Sequence, residues 1–205
     1  MPENNKNRYT AKEKNRAPII IAVICVSFIS ILLVILYTYI PKLQSESEKI
    51  LYPIEFEEFV NEYSSKYNLE KSLVFAIIKT ESSFDSDAVS AVGAKGLMQL
   101  TDETFEWMNY IYDDGQYSDS SVLFDPETNI MFGCRVLRTL IDYFDSTDMT
   151  VILSAYNAGI GYAETWLEEY PDGNGGINYI PFDETRSYVE KVTDAKEKYT
   201  EIYDF

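Results

Sequence analysis

Residues 70–99 read EKSLVFAIIKTESSFDSDAVSAVGAKGLMQ, and the first half of this stretch sets the fold. At about 3.6 residues per turn, Val74, Ile77, Ile78 and Glu81 fall on one stripe of a helix, with Lys71 and Lys79 off it. An apolar stripe marks the face that enters a core, and this one ends on a carboxylate. A carboxyl group in that position loses part of its hydration. The loss favours the protonated form and keeps a proton available near neutral pH, as a general acid requires. The same spacing also allows Glu81 to sit at the helix end turned toward solvent, and periodicity alone leaves both readings open.

Helical spacing recurs along the chain. It predicts helices over 55–67, 70–82, 101–112, 126–144, 149–157, 161–169 and 184–203, with turns at 113–115 and in the glycine-rich 171–176. No segment alternates in a way that demands a sheet, so the expected fold class is mainly α. Asp172, Asn174 and Asp183 share part of the spacing of a calcium loop. Gly176, however, stands where that pattern needs Asp or Asn, and Asp183 where it needs Glu. A glycine-rich turn is the expectation there, with no metal and no cofactor.

Residues 17–40 carry no charge and consist of Ile, Val, Leu and Phe with few polar interruptions, a run long enough to span a bilayer, which takes roughly 20 apolar residues. A cleaved signal peptide has a shorter apolar core and a small-residue cleavage site. The sequence Tyr37-Thr38-Tyr39-Ile40-Pro41 offers no such site, which favours a retained anchor. Lys6, Arg8, Lys12, Lys14 and Arg16 precede the span, whereas only Lys42 and Lys49 closely follow it. That bias places the N-terminus in the cytoplasm and the rest outside. The expected organisation is a cytoplasmic tail (1–16), a transmembrane helix (17–40), a polar linker (41–50) and one folded domain (51–205).

Five of the 17 basic residues and two of the 34 acidic ones precede the span, which leaves 12 against 32 beyond it and a net charge of −20. Nucleic acid is thereby excluded as a partner, because phosphate binding needs clustered Lys and Arg. With no histidine in the chain, Ser-His and Cys-His nucleophile systems and the common histidine-containing zinc sites are excluded too. Cys25 lies in the span and Cys134 in the outer domain, so the fold stands without an internal disulfide.

Downstream of Glu81, Gly93-Ala94-Lys95-Gly96-Leu97-Met98-Gln99 is a short segment whose two glycines permit tight backbone beside a ligand, and Gln99 can both donate and accept hydrogen bonds. Ala155-Tyr156-Asn157-Ala158-Gly159 closes a predicted helix; on its own it reads equally as a plain helix stop. Taken in order, Glu81-Ser82-Ser83-Phe84, Ala88-Val89-Ser90, the Gly93 to Gln99 segment and the Ala155 to Gly159 segment resemble the soluble lytic transglycosylase family, whose catalytic domain is related to goose-type lysozyme. Asp125-Pro126, Asn129-Ile130, Gly133, Glu184-Thr185-Arg186 and Tyr188-Val189 add to the match, which covers roughly 56–203. Ser86 and Asp102 stand where that family often has proline; both are expected at a turn or helix start.

The resemblance implies a lysozyme-like helical domain acting on peptidoglycan glycan strands, with Glu81 as the catalytic acid/base. It implies that Ser82 fixes the local geometry, that Met98 and Gln99 line the sugar cleft, that Tyr156 and Asn157 sit near the bond being cut, and that Tyr188 bonds toward the catalytic carboxyl. It further implies cleavage of the MurNAc-GlcNAc bond with closure of a 1,6-anhydro ring. Two alternatives share these residues. One is a muramidase that uses water; the other is a non-catalytic wall-binding subunit of a surface assembly.

Overall fold

A computed structural model of the chain describes residues 16–112, 115 and 117–205. The expected tail up to residue 15, and positions 113 and 114 of the first expected turn, lie outside these. The chain divides into two compact units at the Leu51/Tyr52 boundary, and each is taken by itself.

The first unit is a single helix, α1 (Ala17–Leu51), long and apolar enough to cross a membrane. Its charge-free part rises roughly 36 Å at 1.5 Å per residue, against about 30 Å of bilayer hydrocarbon. The polar stretch 41–50, expected as a separate linker, instead continues α1 to Leu51. Leu43, Gln44, Glu46, Glu48 and Lys49 are good helix formers. Proline 41 costs the helix one hydrogen bond without ending it.

The second unit contains α2 (Glu57–Lys66), α3 (Lys71–Ser82), α4 (Asp102–Tyr112), a 3-10 turn over Ser120–Phe124, α5 (Pro126–Phe144), α6 (Met149–Ala158), α7 (Ile160–Glu169) and α8 (Asp183–Tyr203). There are no strands among the described residues, only isolated bridges, and the mainly α expectation holds. Each predicted helix is present to within a residue or two of its expected ends. The 3-10 turn escaped the sequence reading because five residues are too few to show a period.

Several helix starts follow from local chemistry. The Asp125 carboxylate accepts from the Thr128 amide at 2.9 Å, with Pro126 in the first turn of α5. The Asp148 carboxylate accepts from the Thr150 amide at 2.9 Å at the start of α6. Asp102 is the first residue of α4 and pairs with Lys95, which also holds its carboxyl below the usual range. Asp172, in the second turn, accepts from the Asn174 and Gly176 amides at 2.7 and 2.8 Å. Both carboxylates thus act on their own backbone or a neighbouring cation.

Helix α3 runs through the core, with Leu73 through Ile78 buried, and packs most extensively on α8, which in turn packs on α6. The loop 93–100 is held to α5 by one side chain. Asn129, fully buried, accepts from the Met98 amide (2.8 Å) and donates to the carbonyls of Lys95 (2.9 Å) and Leu123 (2.7 Å). Gly96 is what allows this approach. A Cβ there would stand 2.4 Å from the Asn129 amide nitrogen and 2.3 Å from the Leu123 carbonyl oxygen, and its φ of +70° suits glycine.

Replacing Asn129 with Ala leaves the Met98 amide and two carbonyls without partners, at a cost of about 3 kcal/mol. The full chain in detergent should then lose on the order of 6–12 °C in Tm by circular dichroism. A shift under 2 °C would show that water takes over these bonds without loss.

Candidate active site

Val74, Ile77 and Ile78 are fully buried, and the next turn of the same stripe brings Glu81 to the wall of an open groove of about 520 Å³. Glu81 is half-buried there, not fully turned out to solvent. The chain reverses immediately afterwards. Ser83 and Phe84 both take left-handed backbone, at φ 53° and 69°, a conformation that costs non-glycine residues roughly 1–2 kcal/mol each. Burial of the Phe84 ring against Phe75, centroids 6.4 Å apart, supplies the offsetting term. The Ser82 hydroxyl donates to the Ile78 carbonyl (3.2 Å) and closes the end of α3 without reaching the groove.

Burial of the Glu81 carboxyl raises its pKa from 4.5 to about 7; a weaker opposing pull comes from the Tyr188 hydroxyl. Tyr188 on α8 and Tyr156 on α6 stack beside it, with ring centroids 6.4 Å apart and planes 4° from parallel. Both phenols are pushed far above their ordinary pKa by burial and then by the Glu81 charge, so neither competes for the proton. The Tyr156 hydroxyl donates to the Met98 carbonyl at 2.8 Å. The Tyr188 hydroxyl is buried, and Glu81 is the group it acts on.

Gln99 lines the groove from a left-handed position (φ 49°). Its amide nitrogen donates to the carbonyls of Gly96 (2.9 Å) and Ala88 (3.2 Å). The side-chain oxygen is therefore the end available to a ligand. Asn157 also lines the groove and is exposed. Met98 does not line it. That side chain is fully buried and sits against Gly133, where a Cβ would come within 2.1 Å of its sulfur; the backbone of Met98 serves the site by holding Tyr156. The structure thus gathers Glu81, Gln99, Tyr156, Asn157 and Tyr188, while Ser82 and Met98 support them from behind.

The sequence reading missed Thr101, Glu103, Thr104 and Trp107, all on the groove wall. Residues 103, 104 and 107 share one helix face directly after Gln99, and that spacing was the available signal. Glu103 and Glu184 are exposed carboxylates of the lining, and neither contributes to the raised pKa of Glu81. Asp85, the other acidic neighbour in sequence, is exposed and turns its carboxylate onto the Asp87 amide at 3.0 Å. The site is therefore one desolvated acid on a groove wall, attended by amides and phenols.

Residues 58–177 match the family model of the Transglycosylase SLT domain, and the chain belongs to that family. The soluble lytic murein transglycosylase of Escherichia coli is 33% identical over 144 residues, covering 69% of this chain and 22% of that protein. The membrane-bound lytic murein transglycosylase C of Serratia proteamaculans is 32% identical over 162 residues, covering 68% and 45%. Among solved structures, the 70 kDa soluble lytic transglycosylase of Escherichia coli superposes with TM-score 0.70 at 30% identity, over 75% of this chain and 25% of that one. An inactive mutant of the Pseudomonas aeruginosa enzyme Slt gives 0.69 at 31% identity, over 76% and 25%. The all-helical, lysozyme-like fold is shared. The chain spans about a fifth of the length of the soluble Escherichia coli relative.

The Glu81 shift has a consequence for stability. The folded state binds this proton more tightly than the unfolded chain, so the stability Glu81 contributes is full below pH 4.5 and is lost as pH rises toward about 7. Relative to Glu81→Gln, the wild type should lose stability across that window, by at most about 3 kcal/mol. Parallel Tm curves for the two proteins over the same window would contradict the buried-acid assignment.

Proposed function

We propose that the chain is a peptidoglycan lytic transglycosylase, cutting the β-1,4 bond from MurNAc to GlcNAc and leaving 1,6-anhydro-MurNAc ends. The observation that carries this reading is Glu81, one carboxyl group with a pKa near 7 and no second carboxylate coupled to it. Glycosidases with two working carboxyl groups hold them about 5–5.5 or 6.5–9.5 Å apart, and at the shorter of these distances their charges act on one another. An acid with no second carboxylate close enough to act on it suits a reaction in which the substrate supplies its own nucleophiles. The relatives named as lytic transglycosylases support the reading, as does an inactive mutant in which one glutamate is replaced by glutamine.

In this mechanism the protonated Glu81 gives its proton to the glycosidic oxygen. The MurNAc C1–O bond breaks, and its electron pair leaves with the GlcNAc O4. The acetamido oxygen of the same MurNAc stabilises the cation at C1. Glu81, now a carboxylate, accepts the proton of the C6 hydroxyl as O6 bonds to C1 and displaces the acetamido oxygen. Glu81 ends protonated, and no water is consumed. The buried Tyr188 hydroxyl donates to the Glu81 carboxylate while it is charged. The Gln99 side-chain oxygen and the Asn157 amide take up polar groups of the strand, and Tyr156 walls the site.

The charge-free part of α1, residues 17–40, anchors the protein in the membrane as a single pass. The five basic residues ahead of it support an N-terminus in the cytoplasm, with the groove on the outer side, where peptidoglycan is found. The relatives named membrane-bound are in keeping with this arrangement.

Full-length protein in detergent, given purified sacculi, should release fragments that carry anhydro ends, each one water lighter than a reducing end by mass spectrometry. Glu81→Gln should lower the rate about 10²–10⁴-fold with its circular dichroism unchanged. Wild-type kcat/KM should fall as pH rises through about 7, because the first step needs the protonated acid. Reducing ends alone would assign the chain to hydrolysis, and an unimpaired Glu81→Gln would remove Glu81 from the mechanism.

A further inference from the structure

The mechanism leaves Trp107 without a task. Its ring lines the groove from α4, on the face that also carries Glu103 and Thr104. The same groove is lined by Val136 and Leu140, one turn apart on α5, and by Gly159 and Ile160 at the start of α7. Open space lies over Gly159, where a Cβ would meet nothing within 4 Å. The chain has two tryptophans, and their settings differ. Trp166 is 3% exposed and packed edge-on against Phe182, centroids 5.0 Å apart. Trp107 is only partly buried and stacks on no aromatic ring or cation among the described residues.

A large ring left unstacked on a groove wall, with a carboxylate and a hydroxyl beside it, matches the chemistry of a pyranose. The C–H faces of a β-linked sugar are apolar and flat, and its hydroxyls project at the edge. Stacking a sugar face on an indole buries both apolar surfaces, and Glu103 and Thr104, one turn back on the same helix and on the same groove wall, offer polar groups to hydroxyls. We propose that Trp107 is the stacking platform for one N-acetylhexosamine ring of the bound strand. This assignment rests on the glycan-cleaving reading given above and adds to it a residue that holds a sugar ring.

The test uses the full-length chain in detergent carrying Glu81→Gln, so that no turnover occurs, titrated with β-1,4-linked N-acetylglucosamine oligomers. Tryptophan emission should shift saturably with oligomer, and the shift should vanish in Trp107→Phe, because Trp166 is enclosed. By calorimetry Trp107→Ala should bind oligomer about tenfold more weakly, Trp107→Leu nearly as weakly, and Trp107→Phe close to the parent. In the active chain Trp107→Ala should raise KM with little change in kcat. Oligomer binding by calorimetry without any emission change, or Trp107→Ala binding as tightly as the parent, would overturn the platform. Cleavage of sacculi with no oligomer binding would likewise overturn it while sparing the catalytic reading; failure of both would remove that reading itself.

Discussion

A carboxyl group held out of water is the constraint around which this domain is arranged. Left in solvent, Glu81 would be ionised at neutral pH and have no proton to give. Placed at the end of a buried stripe and beside two tyrosine rings, it keeps its proton to about pH 7. That placement is unfavourable for folding whenever the group is charged, so the rest of the domain has to stabilise it. Three helices converge to do so: α3 delivers the carboxyl, while α6 and α8 deliver the tyrosines.

The loop between α3 and α4 does comparable work for the groove wall. Left-handed backbone at Ser83, Phe84 and Gln99 aims the neighbouring side chains, and strain of this kind survives only where surrounding contacts outweigh it. Here the contacts are the buried Phe84 ring and the three hydrogen bonds of Asn129. Gly96 and Gly133 matter by what they leave out. One admits the Asn129 amide and the other the Met98 side chain. Because the Met98 carbonyl receives the Tyr156 hydroxyl, packing behind the loop is transmitted to a ring in the site.

The helices were legible in the sequence because the 3.6-residue period agrees with the final packing; the caps Asp125 and Asp148 came from the structure. Glu81 was legible as a break in an otherwise apolar stripe. Met98 was not. It lies in a loop with no period to give its direction, and its pocket is created by a glycine 35 positions later in the chain. Tyr188 was found through family resemblance, since helical spacing gives a face of α8 but not the partner that face meets. The continuation of α1 through position 41 ran against the usual sense of proline as a helix stop, and Trp107 was hidden because a half-exposed aromatic on an amphipathic helix looks like ordinary packing.

The central claim is a statement about one proton, and it can be measured directly. Side-chain carbon-13 labelling of glutamate in the full chain, with Glu81→Gln used to assign the signal, follows the Glu81 carboxyl by NMR across the pH range. The account predicts a titration midpoint near 7. A midpoint at the ordinary 4.5 would mean a hydrated, ionised carboxylate, and the proposed acid could not supply the proton on which the reaction depends.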